Sequence, residues 1–123
     1  MGKFIIIAAK SGFKFNLLAA NGAVIAASQV YDGLESCRGG IESLRKNAPI
    51  AALQDCTAAA RQERCPKFEL YTDRAGEYRF RLRAANGKIL AASEGYRAKK
   101  SCLAGIESVR RNAACPAAVE MRC

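Results

Sequence analysis

Three arginines at alternate positions, Arg79, Arg81 and Arg83 in the run Glu77-Tyr-Arg-Phe-Arg-Leu-Arg83, are the sharpest chemical feature of the sequence. Strand geometry puts them on one side and Tyr78, Phe80 and Leu82 on the other. With Lys88 beyond the following turn, they form a set of permanently charged groups suited to phosphates and other polyanions. The same pattern is also the simplest way to keep an uncovered sheet face in water. The aromatic rings of this strand point away from the arginines, so the stacking platform with which sheet-based readers hold RNA bases is missing.

Other reactive groups carry less. The chain contains no His, which removes catalytic triads, His general bases and Cys/His zinc fingers together. Of the six cysteines, Cys37 and Cys102 fall on an apolar helical stripe, where a free Cys is a small hydrophobe. Cys56, Cys65, Cys115 and Cys123 lie outside that pattern and show no Cys-x-x-Cys spacing. They are open to three readings: a zinc site of all four thiolates, one or two disulfides formed on isolation, or free thiols as expected in a reducing compartment. Glu42 and Glu107 each precede an arginine by three residues (Arg45, Arg110). They are either a carboxylate pair for acid/base work, if a symmetry axis joins them, or two exposed helical ion pairs. Gly39-Gly40 is not followed by Lys-Ser/Thr, so no phosphate loop is present. No catalytic residue, metal site or cofactor is expected.

The elements that position these residues come from an internal repeat. Residues 15–48 laid over 80–113 give 19 identities in 34 positions, among them Ala-Ala-Asn-Gly at 19–22 and 84–87 and Gly-Ile-Glu-Ser at 40–43 and 105–108. The offset is 65, falling to 64 upstream, where Lys3-Phe4 matches Lys67-Phe68. This divides the chain into a first unit (1–55), a linker (56–66) and a second unit (67–123), both units forming one compact domain. Pro66 suits entry into an edge strand.

Within each unit the period changes in a fixed order. Two-residue alternation and an Asn-Gly turn of type I′ predict a hairpin in which Arg83 faces Leu90 and Leu18 faces Ile25. A further strand precedes it, Lys67–Thr72 in the second unit. The period then becomes helical: Cys37, Ile41, Leu44 and Ala48, and Cys102, Ile106, Val109 and Ala113, share one face. Asp32 and Glu35 have the spacing of a capping box. Gly40 and Gly105 cost about 1 kcal/mol each in mid-helix, and close helix packing would explain them. A short strand-like tail ends each unit (50–55, 117–122).

The outer face differs between the units. Lys14, Asn16 and Leu18 stand where the second has Arg79, Arg81 and Arg83, and Ile5 and Ile7 replace Glu69 and Tyr71. Ile5, Ile7, Leu18 and Ile25 are therefore expected to form an apolar patch, either a surface for self-association or a partner, or a face covered by the tail or the linker.

The 123 residues carry a net charge of +9, six of it within 67–123. No apolar run approaches the ~20 residues of a membrane span. The opening residues hold no signal h-region, and Ile6 spoils a myristoylation motif, so a cytoplasmic location without membrane attachment is expected.

Both halves resemble the YegP-like family, a bacterial and archaeal group of unknown function. The resemblance rests in the second unit on Gly76, Tyr78, Phe80, Ala84–Gly87, Ser93, Tyr96, Cys102, Gly105–Val109, Asn112 and Ala113, and covers about nine tenths of the chain. The first unit departs from it at the first turn and in Ile5-Ile6-Ile7. The resemblance implies an α+β fold of two tandem β3-α-β repeats with pseudo-twofold symmetry, helices on one face of an antiparallel sheet, and C-terminal strands exchanged between repeats. It implies no biochemical activity. The function expected is that of a small non-enzymatic binding or accessory module acting through self-association, as a homodimer, or through an unknown protein partner. The alternative is weak, salt-dependent binding of RNA or another polyanion through Arg79, Arg81, Arg83 and Lys88.

Overall fold

Alternating apolar residues form strands wherever the two-residue period runs. In the computed structural model, which describes residues 2–58, 62–114 and 119–122, the first repeat holds β1 (Lys3–Ala9), β2 (Gly12–Leu18), β3 (Val24–Ala27), α1 (Leu34–Asn47) and β4 (Ala52–Asp55). The second holds β5 (Lys67–Thr72), β6 (Tyr78–Arg83), β7 (Ile89–Ala92), α2 (Lys99–Ala114) and β8 (Val119–Arg122). All eight strands belong to one sheet, ordered β4-β5-β6-β7-β3-β2-β1-β8. The sheet is mixed rather than antiparallel: each three-strand meander is antiparallel, but β4 runs parallel to β5 and β8 parallel to β1. A helix stands before each of these tail strands and turns the chain, so each re-enters the sheet in the parallel sense. Pro66 accordingly leads into a strand flanked by β4, not into an edge strand.

One face of this sheet carries the core. Phe4, Ile6, Phe15 and Leu17 from the first meander and Phe68, Leu70, Phe80 and Leu82 from the second are buried with Cys37, Ile41 and Leu44 of α1 and Cys102, Ile106 and Val109 of α2 in one continuous cluster. In each repeat an edge-to-face pair (Phe4–Phe15, Phe68–Phe80) adjoins a stacked pair (Phe15–Tyr31, Phe80–Tyr96). Between the repeats, β3 and β7 share the single registered pair Ala27 and Ala92. The helices therefore do much of the joining, α1 packing on β7 and α2 on β2 and β3.

Gly40 and Gly105 serve the tyrosines rather than a helix–helix contact. A Cβ on Gly40 would lie 2.7 Å from Tyr31 Cζ, and one on Gly105 would lie 2.6 Å from Tyr96 Oη. The absent side chain is the space in which each phenol sits. Capping also differs from expectation, because α1 starts at Gly33 without any side-chain cap, so Asp32 and Glu35 form no capping box.

The hairpins depart from the two-residue turn. Ala84 N–H donates to Lys88 O and Gly87 N–H to Ala84 O, closing a three-residue loop in which Gly87 has φ +86 and no non-Gly residue has positive φ. Asn86 Oδ1 accepts the Lys88 N–H, which holds Asn86 in an ordinary conformation and leaves the left-handed position to glycine alone. The first repeat does the same at Asn21 and Gly22. The longer loop shifts the register by one, and a bulge one residue later restores it. Arg83 therefore faces Ile89, not Leu90, and Leu18 faces Val24, not Ile25.

Candidate functional site

The arginines stand on the face opposite the core, as alternation requires, and cross-strand pairing hands them carboxylates. Glu69 lies opposite Arg81, and Lys67 opposite Arg83. Glu69 Oε1 accepts from Arg81 Nε and Arg83 Nε, each at 2.6 Å, and Lys67 Nζ stands 3.6 Å from Oε2. Arg79 Nε donates to Asp73 Oδ2 at 2.7 Å from the preceding turn. Arg83 also donates to Gly87 O at 2.8 Å, and the Arg81 guanidinium lies 4.7 Å from the centre of the Tyr71 ring. Glu69 is only 8% exposed. Burial by itself pushes its carboxyl up, but the hydrogen bonds and charges of Arg81 and Arg83 outweigh that and hold it below its usual value. Asp73 is lowered by Arg79 and by backbone N–H groups, and the Arg79 and Arg81 guanidiniums are raised in return. The face is thus a fixed, partly neutralised network rather than a row of free cations.

Lys88 does not belong to it. The three-residue loop places Lys88 opposite Ala84, a core-side residue, and it lines a cleft beside α1 instead.

On the first repeat's half of this outer face, Ile5 and Leu18 are already buried within the chain (3% and 8% exposed) yet lie outside the main core, and Ile7 is half-buried. The four aliphatic residues are therefore not left in water. Ile25, displaced by the bulge, packs against the main core, while Val24 takes the place across from Leu18 and is 46% exposed. The described part of the linker does not cover this patch: Gln54 accepts from Glu63 N–H and Lys67 Nζ donates to Glu63 O, which places residues 62–66 against β4 and β5 at the far end of the sheet. Of the C-terminal tail, the other expected cover, residues 115–118 and 123 lie outside the described residues.

Of the thiols, Cys37 and Cys102 are fully buried, and burial pushes both up, Cys102 to about 11. Neither is a nucleophile in this state. Cys56 and Cys65 stand at opposite ends of the β4–β5 pair, one bonded to Leu70 O and the other next to Pro66. Their separation is ~15 Å along the strands, beyond both a disulfide and a shared zinc ion. Cys115 and Cys123 lie outside the described residues. Among the described residues no helix is long and apolar enough to cross a membrane.

Glu42 and Glu107 pair with Arg45 at 2.7 Å and Arg110 at 3.4 Å along their own helices. Further contacts of these arginines are absent from the periodicity. Arg45 lies over the Phe4 ring and Arg110 over Phe68, at 5.1 and 4.9 Å from the ring centres. Arg110 also donates to Ala51 O at 2.6 Å, gripping the segment that carries the first repeat into β4.

Comparison with known proteins supports the tandem organisation. A family model described as "Domain of unknown function (DUF1508)" matches residues 8–55 and again 73–120. The chain is 37% identical over 110 residues to a UPF0339 protein of Pseudomonas aeruginosa, covering 89% of this chain and 87% of that one. A UPF0339 protein of Treponema denticola is 53% identical over 55 residues, which is 45% of this chain but 95% of that protein, the length of one repeat. The solution NMR structure of yegP from Escherichia coli, titled a protein of unknown function, superposes with a TM-score of 0.79 at 31% identity, covering 98% of this chain and 92% of the other.

Proposed function

The chain belongs to the DUF1508 family, and on that premise we propose that it is a non-enzymatic cytoplasmic binding module whose uncovered sheet face meets a protein surface, that of a partner or of a second copy. Residues 1–55 and 67–123 are its two units and 56–66 their connector. The pairing of β4 with β5 and of β8 with β1 supports an exchange of tail strands about a pseudo-twofold axis, so neither unit is complete alone.

The observation that carries this reading is the composition of the bare face. Half-buried Ile7 on β1 and exposed Val24 on β3 share this face with the β6 arginines that Glu69 and Asp73 hold in place, with Tyr71 beside Arg81. Arg and Tyr anchors are what protein interfaces favour, and side chains already immobilised lose little entropy on docking. The same pairing weakens the polyanion alternative, because every Nε of Arg79, Arg81 and Arg83 is engaged by a carboxylate. A net positive charge of the three arginines over their two carboxylates keeps it as the second reading.

Two measurements separate them. Sedimentation at about 100 μM protein is expected to show a dimer that Val24→Glu dissolves, a change at an exposed position that spares the fold. A fluorescence titration with single-stranded RNA at about 50 mM salt is expected to be flat. A monomer that binds RNA, with binding lost when Arg79, Arg81 and Arg83 become Ser, overturns the protein-surface reading in favour of the polyanion.

A further inference from the structure

On the helix side of the sheet, α1 of the first repeat and the hairpin tip of the second enclose a cleft of 390 Å³. That lies within the roughly 300–1,000 Å³ of small-molecule sites. Its cation is Lys88, which has no ion pair among the described residues. Ser36 and Ser43 supply hydroxyls and Gln29 an amide, Leu90 and Ile89 form an apolar wall, and no carboxylate lines it.

Gly39 is exposed at the mouth of this cleft and has no packing role among the described residues. A Cβ there meets nothing within 4 Å, and its φ is not positive. Its neighbour Gly40 is required by Tyr31, but Gly39 weakens a helix for no internal gain. What its absent side chain leaves is room in the cleft.

The counterpart positions of the other repeat keep the frame and change the chemistry. At the repeat offset, Tyr96, Ser101 and Ser108 match Tyr31, Ser36 and Ser43, whereas Ala23 replaces Lys88, Glu94 replaces Gln29 and Ala104 replaces Gly39. That side lacks the cation, has an acid in place of the amide and carries a methyl group at the mouth. We infer that the cleft between α1 and the second hairpin binds a small organic anion, an apolar body ending in a carboxylate or phosphate, with Lys88 as its counter-charge. This site lies on the helix side and is distinct from the protein-binding face, the two meeting only at the hairpin end where Ile89 pairs with Arg83.

The test is an amide NMR titration of the full chain with octanoate and with phenyl phosphate at about 150 mM salt, which screens loose surface charge, using hexanol as the uncharged control. Saturable shifts are expected at the amides of Gln29–Ser43 and Ala84–Leu90 with one or both anions, the pair telling carboxylate from phosphate. Lys88→Ala should weaken binding about tenfold, the loss of one charge-assisted contact. Gly39→Leu should abolish it while leaving the melting temperature unchanged or raised, a combination that a merely structural role cannot produce. Silence of both anions up to about 10 mM, shifts centred on Arg79, Arg81 and Arg83, or binding that survives Gly39→Leu overturns the inference.

Discussion

Replacing Glu69 by Gln removes one charge and almost no volume from the centre of the arginine network, and its effect can be worked from the geometry. Glu69 meets Arg81 and Arg83 at 2.6 Å and Lys67 at 3.6 Å, and the Lys67 side chain is itself only 5% exposed. Removing one partner of a fully buried pair costs about 3–5 kcal/mol, because the remaining charge is stranded. Arg81 and Arg83 are 32% and 28% exposed, so water recovers part of their loss. The expected destabilisation at pH 7 is about 2–3 kcal/mol, or a fall in melting temperature of about 10 °C for a chain of this length. Urea unfolding of both proteins across pH provides the assay. The folded-state pKa of Glu69 is lowered, so its contribution is fully present above the unfolded value of about 4.3 and disappears as pH falls through the folded value. The gap between wild type and Glu69→Gln should therefore be flat from about pH 5 to 8 and close below about pH 4. A gap under about 0.5 kcal/mol at pH 7, or one that persists undiminished in acid, would refute the view that this carboxylate anchors the face.

Gly40→Ala and Gly105→Ala should each destabilise by about 1–2 kcal/mol in thermal melts, since overpacking against Tyr31 and Tyr96 exceeds the helix-propensity gain of about 1 kcal/mol; a more stable variant would mean the rings move aside freely. Arg110→Lys should cost about 1–2 kcal/mol, because a compact ammonium cannot both lie over Phe68 and reach Ala51 O. Amide exchange should then speed up in β4 while β2 and β6 stay protected, and unchanged exchange in β4 would remove the grip assigned to Arg110.

How much of this was legible in the sequence depends on the range of the interaction. The inward stripe Tyr78, Phe80, Leu82 and the helical stripe Cys102, Ile106, Val109 follow from backbone periods alone, and the structure keeps both. The hairpin register did not follow, because the turn is decided by whether Asn86 adopts positive φ, and its own side chain prevents that by accepting the Lys88 N–H. This hydrogen bond moved Lys88 to the other face, and its counterpart from Ala23 N–H to Asn21 Oδ1 moved Ile25 against the core. Glu69 was visible as a face-sharing residue, but its grip on two arginines needed the length of the Asp73–Gly76 turn to bring it opposite Arg81. The reason for Gly40 was hidden for a different cause: Tyr31 reaches it only through tertiary packing, which no spacing rule encodes.

Duplication explains where the two repeats agree and where they part. Identical pairs such as Phe15 and Phe80, Leu17 and Leu82, Cys37 and Cys102, and Ile41 and Ile106 all face the common core. Pairs that differ, Lys14 and Arg79, Asn16 and Arg81, Leu18 and Arg83, face away from it, as do Gly39 and Ala104 on the helices. The core is shared, so a change on one side must be accommodated by the other, whereas outward positions carry no such coupling. A pair of identical single repeats would present two equal faces and two equal clefts. Fusing them in one chain lets an aliphatic half sit beside a charged half on the same rigid sheet, and lets one cleft keep a cation that the other has lost. On the proposed reading of the outer face, a partner surface with one apolar and one acidic region is met in one orientation only, which no symmetric arrangement of the same units offers.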